Sequence, residues 1–151
     1  MERSEVVMLK KSIQCVLIIL VLLVFASCMG PGLNDWSFIL PNGFEVCHIN
    51  SNEILIIQRS SGGANTIVIP SFVKEFCYNE RYVCTRNVDD ICENNIFREV
   101  YYLLDTLEAE VIGEYDQLGD LESALLDMNI TDLGDWLRTS PAPVGAKYPN
   151  S

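Results

Sequence analysis

Positive charge is scarce in this chain. Ten Lys and Arg stand against 21 Asp and Glu, a formal net charge of −11 at pH 7. A protein that grips a phosphate backbone needs a basic patch or stripe, so no nucleic-acid partner is expected. Histidine occurs once, as His48, and any Ser–His or Cys–His catalytic arrangement has to use it. No Gly-rich phosphate loop is present, and the six cysteines form no CxxC pair. No cofactor motif is left for the chain to carry. At 151 residues there is room for one domain and too little for two of ordinary size. The chain is nevertheless not disordered as a whole, because 49% of its residues are hydrophobic.

That hydrophobicity is uneven. Arg3, Lys10 and Lys11 precede twelve uncharged residues, Cys15–Ala26. A basic start followed by an apolar run of this length is the pattern of a signal peptide. A spanning helix needs about 20 apolar residues, so a permanent membrane span is the weaker reading. Met8 with Lys10 and Lys11 would make an equally good start. Phe25-Ala-Ser-Cys28 closes the run, and small residues just before a Cys resemble the bacterial lipobox. The resemblance implies cleavage after Ser27 and a lipid on the Cys28 sulfur, with acylation or a free amine at the new terminus. Phe25 departs from the usual aliphatic residue at its position. Two or three acyl chains anchor a protein stably, since each buried methylene contributes about 0.8 kcal/mol.

Residues 1–27 therefore form the expected lipoprotein signal peptide and 28–32 a lipidated tether. Removing residues 1–27 takes away three bases and two acids, which leaves 7 and 19, a net of −12. An anionic lipid surface repels such a body, so the anchor has to hold it at the membrane. Residues 33–138 are the expected globular domain. Residues 139–151, with Pro141, Pro143 and Pro149, are expected as a disordered Pro-rich tail.

Trp36, Phe38 and Leu40 share one parity, as do Phe44, Val46 and His48, and Pro41-Asn-Gly43 between them is a turn signal. Ile54–Ile57 fits a strand buried on both faces, and Thr66–Ile69 a strand stopped by Pro70. Val73–Tyr78 and Arg81–Val88 form a hairpin around Asn79-Glu80. The fold class expected is mainly β, a small antiparallel sheet or sandwich, with a signal-peptide helix before it and a short helical C-terminal end. Leu118, Leu121, Leu125 and Met128 recur at helical spacing behind Asp116, a candidate N-cap, and Thr131 caps a second short helix through Leu137. Phe97–Tyr115 is ambiguous: Ile96, Val100, Leu103, Leu107 and Val111 keep helical spacing, yet Val100-Tyr-Tyr102 and Val111-Ile112 are strand formers.

The lipobox, Leu33-Asn-Asp-Trp36, Leu40-Pro-Asn-Gly-Phe44, Tyr101-Tyr-Leu-Leu-Asp-Thr106, Val111-Ile-Gly-Glu-Tyr115 and Leu133-Gly-Asp-Trp136 together resemble small bacterial lipoproteins classed as domain of unknown function 3997. The resemblance implies no activity and no catalytic residues. It does imply that Tyr101–Tyr115 is a β-hairpin turning near Thr106–Ala109.

Among chemistry-bearing residues, His48 lies on a strand with Cys47 pointing to the opposite face, so the two cannot form a dyad directly. Cys47, Cys77, Cys84 and Cys92 with His48 offer donors for zinc, but at spacings without a local pair. Disulfides in an exported chain, with three possible connectivities, and buried free thiols are the other readings. A turn at Asn79-Glu80 puts Cys77 opposite Tyr82 and Glu75 opposite Cys84. Cys77 and Cys84 are then diagonal neighbours, about 7–8 Å apart, beyond the roughly 4.4–6.8 Å of a disulfide. No bond between them is expected, and Cys92 is the favoured partner because the Asp89–Asn95 loop can move. Asp127, Asn129 and Thr131 begin an EF-hand-like pattern, but Asp132 and Arg138 stand where Gly and Glu are needed. A carboxylate pair for glycoside hydrolysis has no aromatic-lined cleft to support it in sequence. The expected function is a lipid-anchored extracytoplasmic module that binds an envelope protein or small ligand without chemistry. The alternative is a small cell-surface hydrolase using carboxylates or His48.

Overall fold

Alternation of apolar and polar residues organises the described residues into nine strands. A computed structural model describes residues 35–149 except 51, 52, 61, 71 and 92–95, all within one compact unit, Gly32–Ser151. Strands β1 (Trp36–Ile39), β2 (Phe44–Asn50), β3 (Glu53–Arg59) and β4 (Asn65–Ile69) form an antiparallel meander in that order. Strands β5 (Val73–Tyr78), β6 (Tyr82–Ile91), β7 (Ile96–Asp105), β8 (Glu110–Tyr115) and β9 (Leu137–Arg138) form a second sheet, ordered β8-β7-β6-β5-β9. Between β1 and β2 a 3-10 turn spans Pro41–Gly43. Asn42 and Gly43 take φ of 58° and 83° there, the left-handed region that Asn and Gly tolerate best.

The two sheets face each other across the main core. Trp36, Phe38, Phe44, Val46, Ile54, Ile56 and Ile69 come from the first sheet, and Val73, Phe76, Val83 and Leu104 from the second. Ile54–Ile57 is buried along its whole length, as its continuous apolar character requires. The outer face of the five-stranded sheet carries a second core of Cys77, Cys84, Tyr101 and Leu103 under Leu121. Leu121 belongs to helix α1 (Leu118–Asp127). This sheet is therefore covered on both faces, by the other sheet and by α1 with the chain after it.

The mainly β sandwich with one short helix near its C-terminal end agrees with the fold class read from sequence. Several details differ. The hairpin Tyr101–Tyr115 turns through Thr106–Ala109, as the family resemblance implies, and a Cβ at Gly113 would collide with the Tyr115 ring. Strand β6 continues to Ile91 and β7 begins at Ile96, so Asp89–Ile91 of the loop expected at Asp89–Asn95 is strand; Cys92 itself lies outside the described residues. The helix is capped by Gln117, without a side-chain bond, instead of Asp116, and Asp116 pairs with Arg98. Residues 130–136 form no second helix; Thr131 caps nothing there, and Leu137 enters β9 beside β5.

The hairpin β5–β6 departs from the expected register. Asn79 Oδ1 accepts the N–H groups of Arg81 (2.9 Å) and Tyr82 (2.6 Å), and the Asn79 N–H donates to the Tyr82 carbonyl (3.0 Å). This Asn-centred loop moves the turn one residue along. Tyr78 pairs with Val83, Cys77 with Cys84, and Glu75 with Arg86.

The expected disordered tail is also different. Thr139 is buried; its N–H bonds the Lys74 carbonyl (3.0 Å) and its hydroxyl the Val73 carbonyl (2.9 Å). Farther on, Ser37 and Lys147 exchange N–H to carbonyl bonds of 2.8 and 2.7 Å, and Ala142 and Ala146 pack on the core. The segment thus crosses from the edge of one sheet to the edge of the other and closes both to further pairing.

Candidate binding groove

The outer face of the five-stranded sheet is where polar and apolar side chains converge. Glu75 on β5, Arg86 on β6, and Glu99 and Tyr101 on β7 project from it beside α1. Arg86 donates from Nε to Glu75 (2.9 Å) and from a terminal nitrogen to Glu99 (2.8 Å). The Tyr101 hydroxyl donates to Glu99 (3.0 Å), and Arg138 on β9 approaches the other Glu75 oxygen at 3.4 Å. The hydrogen bond to Glu75 and the charges of both glutamates hold the Arg86 pKa above its ordinary value. Burial, then the bond to Glu99, raises that of Tyr101. The Arg86 fork is thus locked in place by two carboxylates.

Two recesses flank this cluster. One, of about 270 Å³, is lined by Glu75, Arg86, Glu99, Tyr101, Leu118 and Trp136. The other, of about 260 Å³, lies under α1, with Cys77, Leu121, Leu125, Ile130 and Leu133 among its walls. They share Leu118 and Trp136 as walls, both more than a third exposed. Helix α1 leaves Leu118 open because its stripe docks by Leu121, which is fully buried, with Leu125 half-buried behind it. Of the four residues at helical spacing, Leu118 and Met128 do not dock on the sheet; they are 39% and 45% exposed.

The residues singled out from sequence are spread elsewhere. Cys28, the expected lipid site, lies outside the described residues. His48 stacks on Trp36, ring centroids 5.6 Å apart and 8° from parallel. Its cross-strand neighbours are Trp36 and Ile54, neither of which can complete a dyad. Cys47 faces the other way, beside Glu45; burial and the Glu45 charge push its thiol up to about 11, far from a reactive thiolate. Cys77 and Cys84 sit on the other sheet, so among the described residues the cysteines and His48 do not converge. Among the described residues no His, Cys, Asp or Glu cluster could hold a metal ion. Asp132 accepts a bond from Asn79 (2.8 Å) and serves the β5–β6 loop. Glu75, Arg86, Glu99 and Trp136 are given no functional role by the sequence; the correct β5–β6 register would have paired Glu75 with Arg86.

Fold and groove together define a small antiparallel β-sandwich domain with a recess beside its one helix. Residues 41–133 match the family described as protein of unknown function (DUF3997), more than half of the chain, and the chain belongs to that family. The match contains β2 through β8 and α1, hence every groove wall named above except Trp136 and Arg138. No curated protein and no solved structure gives a significant match. Among the described residues no helix is long and apolar enough to cross a membrane.

Proposed function

We propose that this protein is a lipid-anchored extracytoplasmic binding module whose groove takes an apolar side chain of an envelope partner, flanked by a basic group. The observation that carries the binding half is the juxtaposition of Trp136 and Leu118 with the Arg86 cluster. An aromatic and an Arg anchor beside an apolar slot are the composition of interface hot spots. Each recess is smaller than the roughly 300–1,000 Å³ of a small-molecule site, so one or two side chains fit better than a cofactor. Glu75, Glu99 and Glu122 at the rim, on an acidic body, favour a basic flank on the partner and speed its approach. The anchoring half rests on the basic start, the apolar run and Ser27-Cys28.

A photo-reactive residue at Leu118 in cells should trap a discrete partner, and Trp136→Ala should abolish the adduct. The same residue at Val144, 98% exposed and outside the groove, should trap little. Equal adducts at both positions, insensitive to Trp136→Ala, would contradict the groove.

A further inference from the structure

The β5–β6 hairpin holds a pair of thiols that the binding reading does not use. Cys77 and Cys84 stand directly opposite each other in the ladder, on the face covered by α1. Both are free and nearly inaccessible, 2% and 0% exposed. Directly opposed residues in an antiparallel pair have Cα atoms about 4.5–5.5 Å apart. A disulfide takes separations of roughly 4.4–6.8 Å, so this ladder position admits the bond without moving either strand.

We propose that Cys77 and Cys84 form a cross-strand disulfide whenever the chain folds in the presence of a disulfide oxidant. Two S–H bonds are lost and one S–S bond forms. The two electrons and two protons pass by thiol–disulfide exchange to a small disulfide, which leaves as two thiols. The pairing is specific. Cys47 points outward from the four-stranded sheet, with the whole sandwich between it and the pair. The end of β6 at Ile91 is seven residues beyond Cys84, roughly 23 Å along a strand at 3.3 Å per residue. While β6 holds, Cys84 and the strand end at Ile91 stay that far apart.

The site has a kinetic signature. The neighbouring Cys77 thiol, then burial, push the Cys84 pKa up, so thiolate is scarce and the folded, reduced protein exchanges slowly. During folding, before α1 covers the hairpin, the same thiols are open. Because Cys77 walls the recess under α1, the bond tethers the floor of the groove.

The test uses purified full-length protein, denatured and refolded in oxidised glutathione, then acid-quenched, alkylated and mapped without reduction. The expected result is a cross-linked peptide joining Cys77 to Cys84 and an intact mass lower by two hydrogens. Oxidation should be at least tenfold slower when the same reagent is added to folded, reduced protein. Cys77→Ala should leave Cys84 fully alkylated, which keeps the assignment readable even if that variant is less stable. Alkylation of both thiols after oxidative refolding, or a link from either to Cys47 or Cys92, overturns the proposal. The outcome is independent of lipidation and of any partner, so it fails or stands apart from the binding module.

Discussion

Asp105, at the end of β7, concentrates several stabilising contacts in one carboxylate. Its Oδ2 accepts two bonds from Arg81 (2.9 and 2.7 Å), and its Oδ1 accepts the N–H groups of Leu107 (3.0 Å) and Glu108 (3.3 Å). The Arg81 bonds first, then the two backbone donors, hold the carboxyl below its ordinary range against the opposing effect of burial. An unfolded Asp titrates near about 3.9. The folded value is lower, so this stabilisation is fully present above that pH and is lost as pH falls through the folded value. Asp105→Asn should lower the urea midpoint at pH 7, and its deficit relative to wild type should shrink as pH falls below about 4. A deficit unchanged down to pH 2 would show that the charge of Asp105 contributes nothing. The β5–β6 loop, which supplies Arg81, shows how one side chain escapes pattern reading. Nothing in apolar alternation signals that the Asn79 amide will accept two N–H groups, yet this moves the turn by one residue. That single step converts Cys77 and Cys84 from diagonal to direct neighbours. It also brings Glu75 opposite Arg86, and with them the polar half of the groove.

At the scale of elements, strands with strict alternation were legible. Phe44, Val46 and His48 share a face, Trp36, Phe38 and Leu40 are buried, and Pro70 lies beyond the last residue of β4. Such patterns are set locally, by the pleat and by turn residues. The two-residue strand β9 is too short for any period to show, and its neighbours Leu133 and Trp136 kept a helical spacing by coincidence. Helix α1 was legible as a helix but not in which of its apolar residues docks. Packing against Cys77, Tyr101 and Leu103 selects Leu121. Leu121→Ala should therefore destabilise by roughly 2–5 kcal/mol, as for other buried leucines. Leu126→Ala, at a residue 71% exposed, should stay within about 0.5 kcal/mol of wild type. Thermal or urea unfolding of the two variants checks this: equal midpoints would mean that the helix is not docked through Leu121.

For the whole molecule, the Pro-rich end illustrates a limit of composition. Prolines at 141 and 143 suggested a loose chain, but proline asks for no N–H partner, and Thr139 and Lys147 supply the bonds that stitch the two sheets together. One edge of each sheet is thereby partly covered on that side. Its acidity gives it no affinity for anionic lipid. In the proposed function, membrane attachment depends wholly on lipid carried by Cys28, and this dependence is the central claim. The direct measurement is metabolic labelling with a tagged fatty acid, followed by fractionation, on wild type and Cys28→Ala. The account predicts that wild-type protein carries label and sediments with membranes, whereas the Cys28→Ala protein is unlabelled and is not retained by lipid. Label of equal intensity on the Cys28→Ala protein, or wild-type protein that is unlabelled and freely soluble, would contradict it.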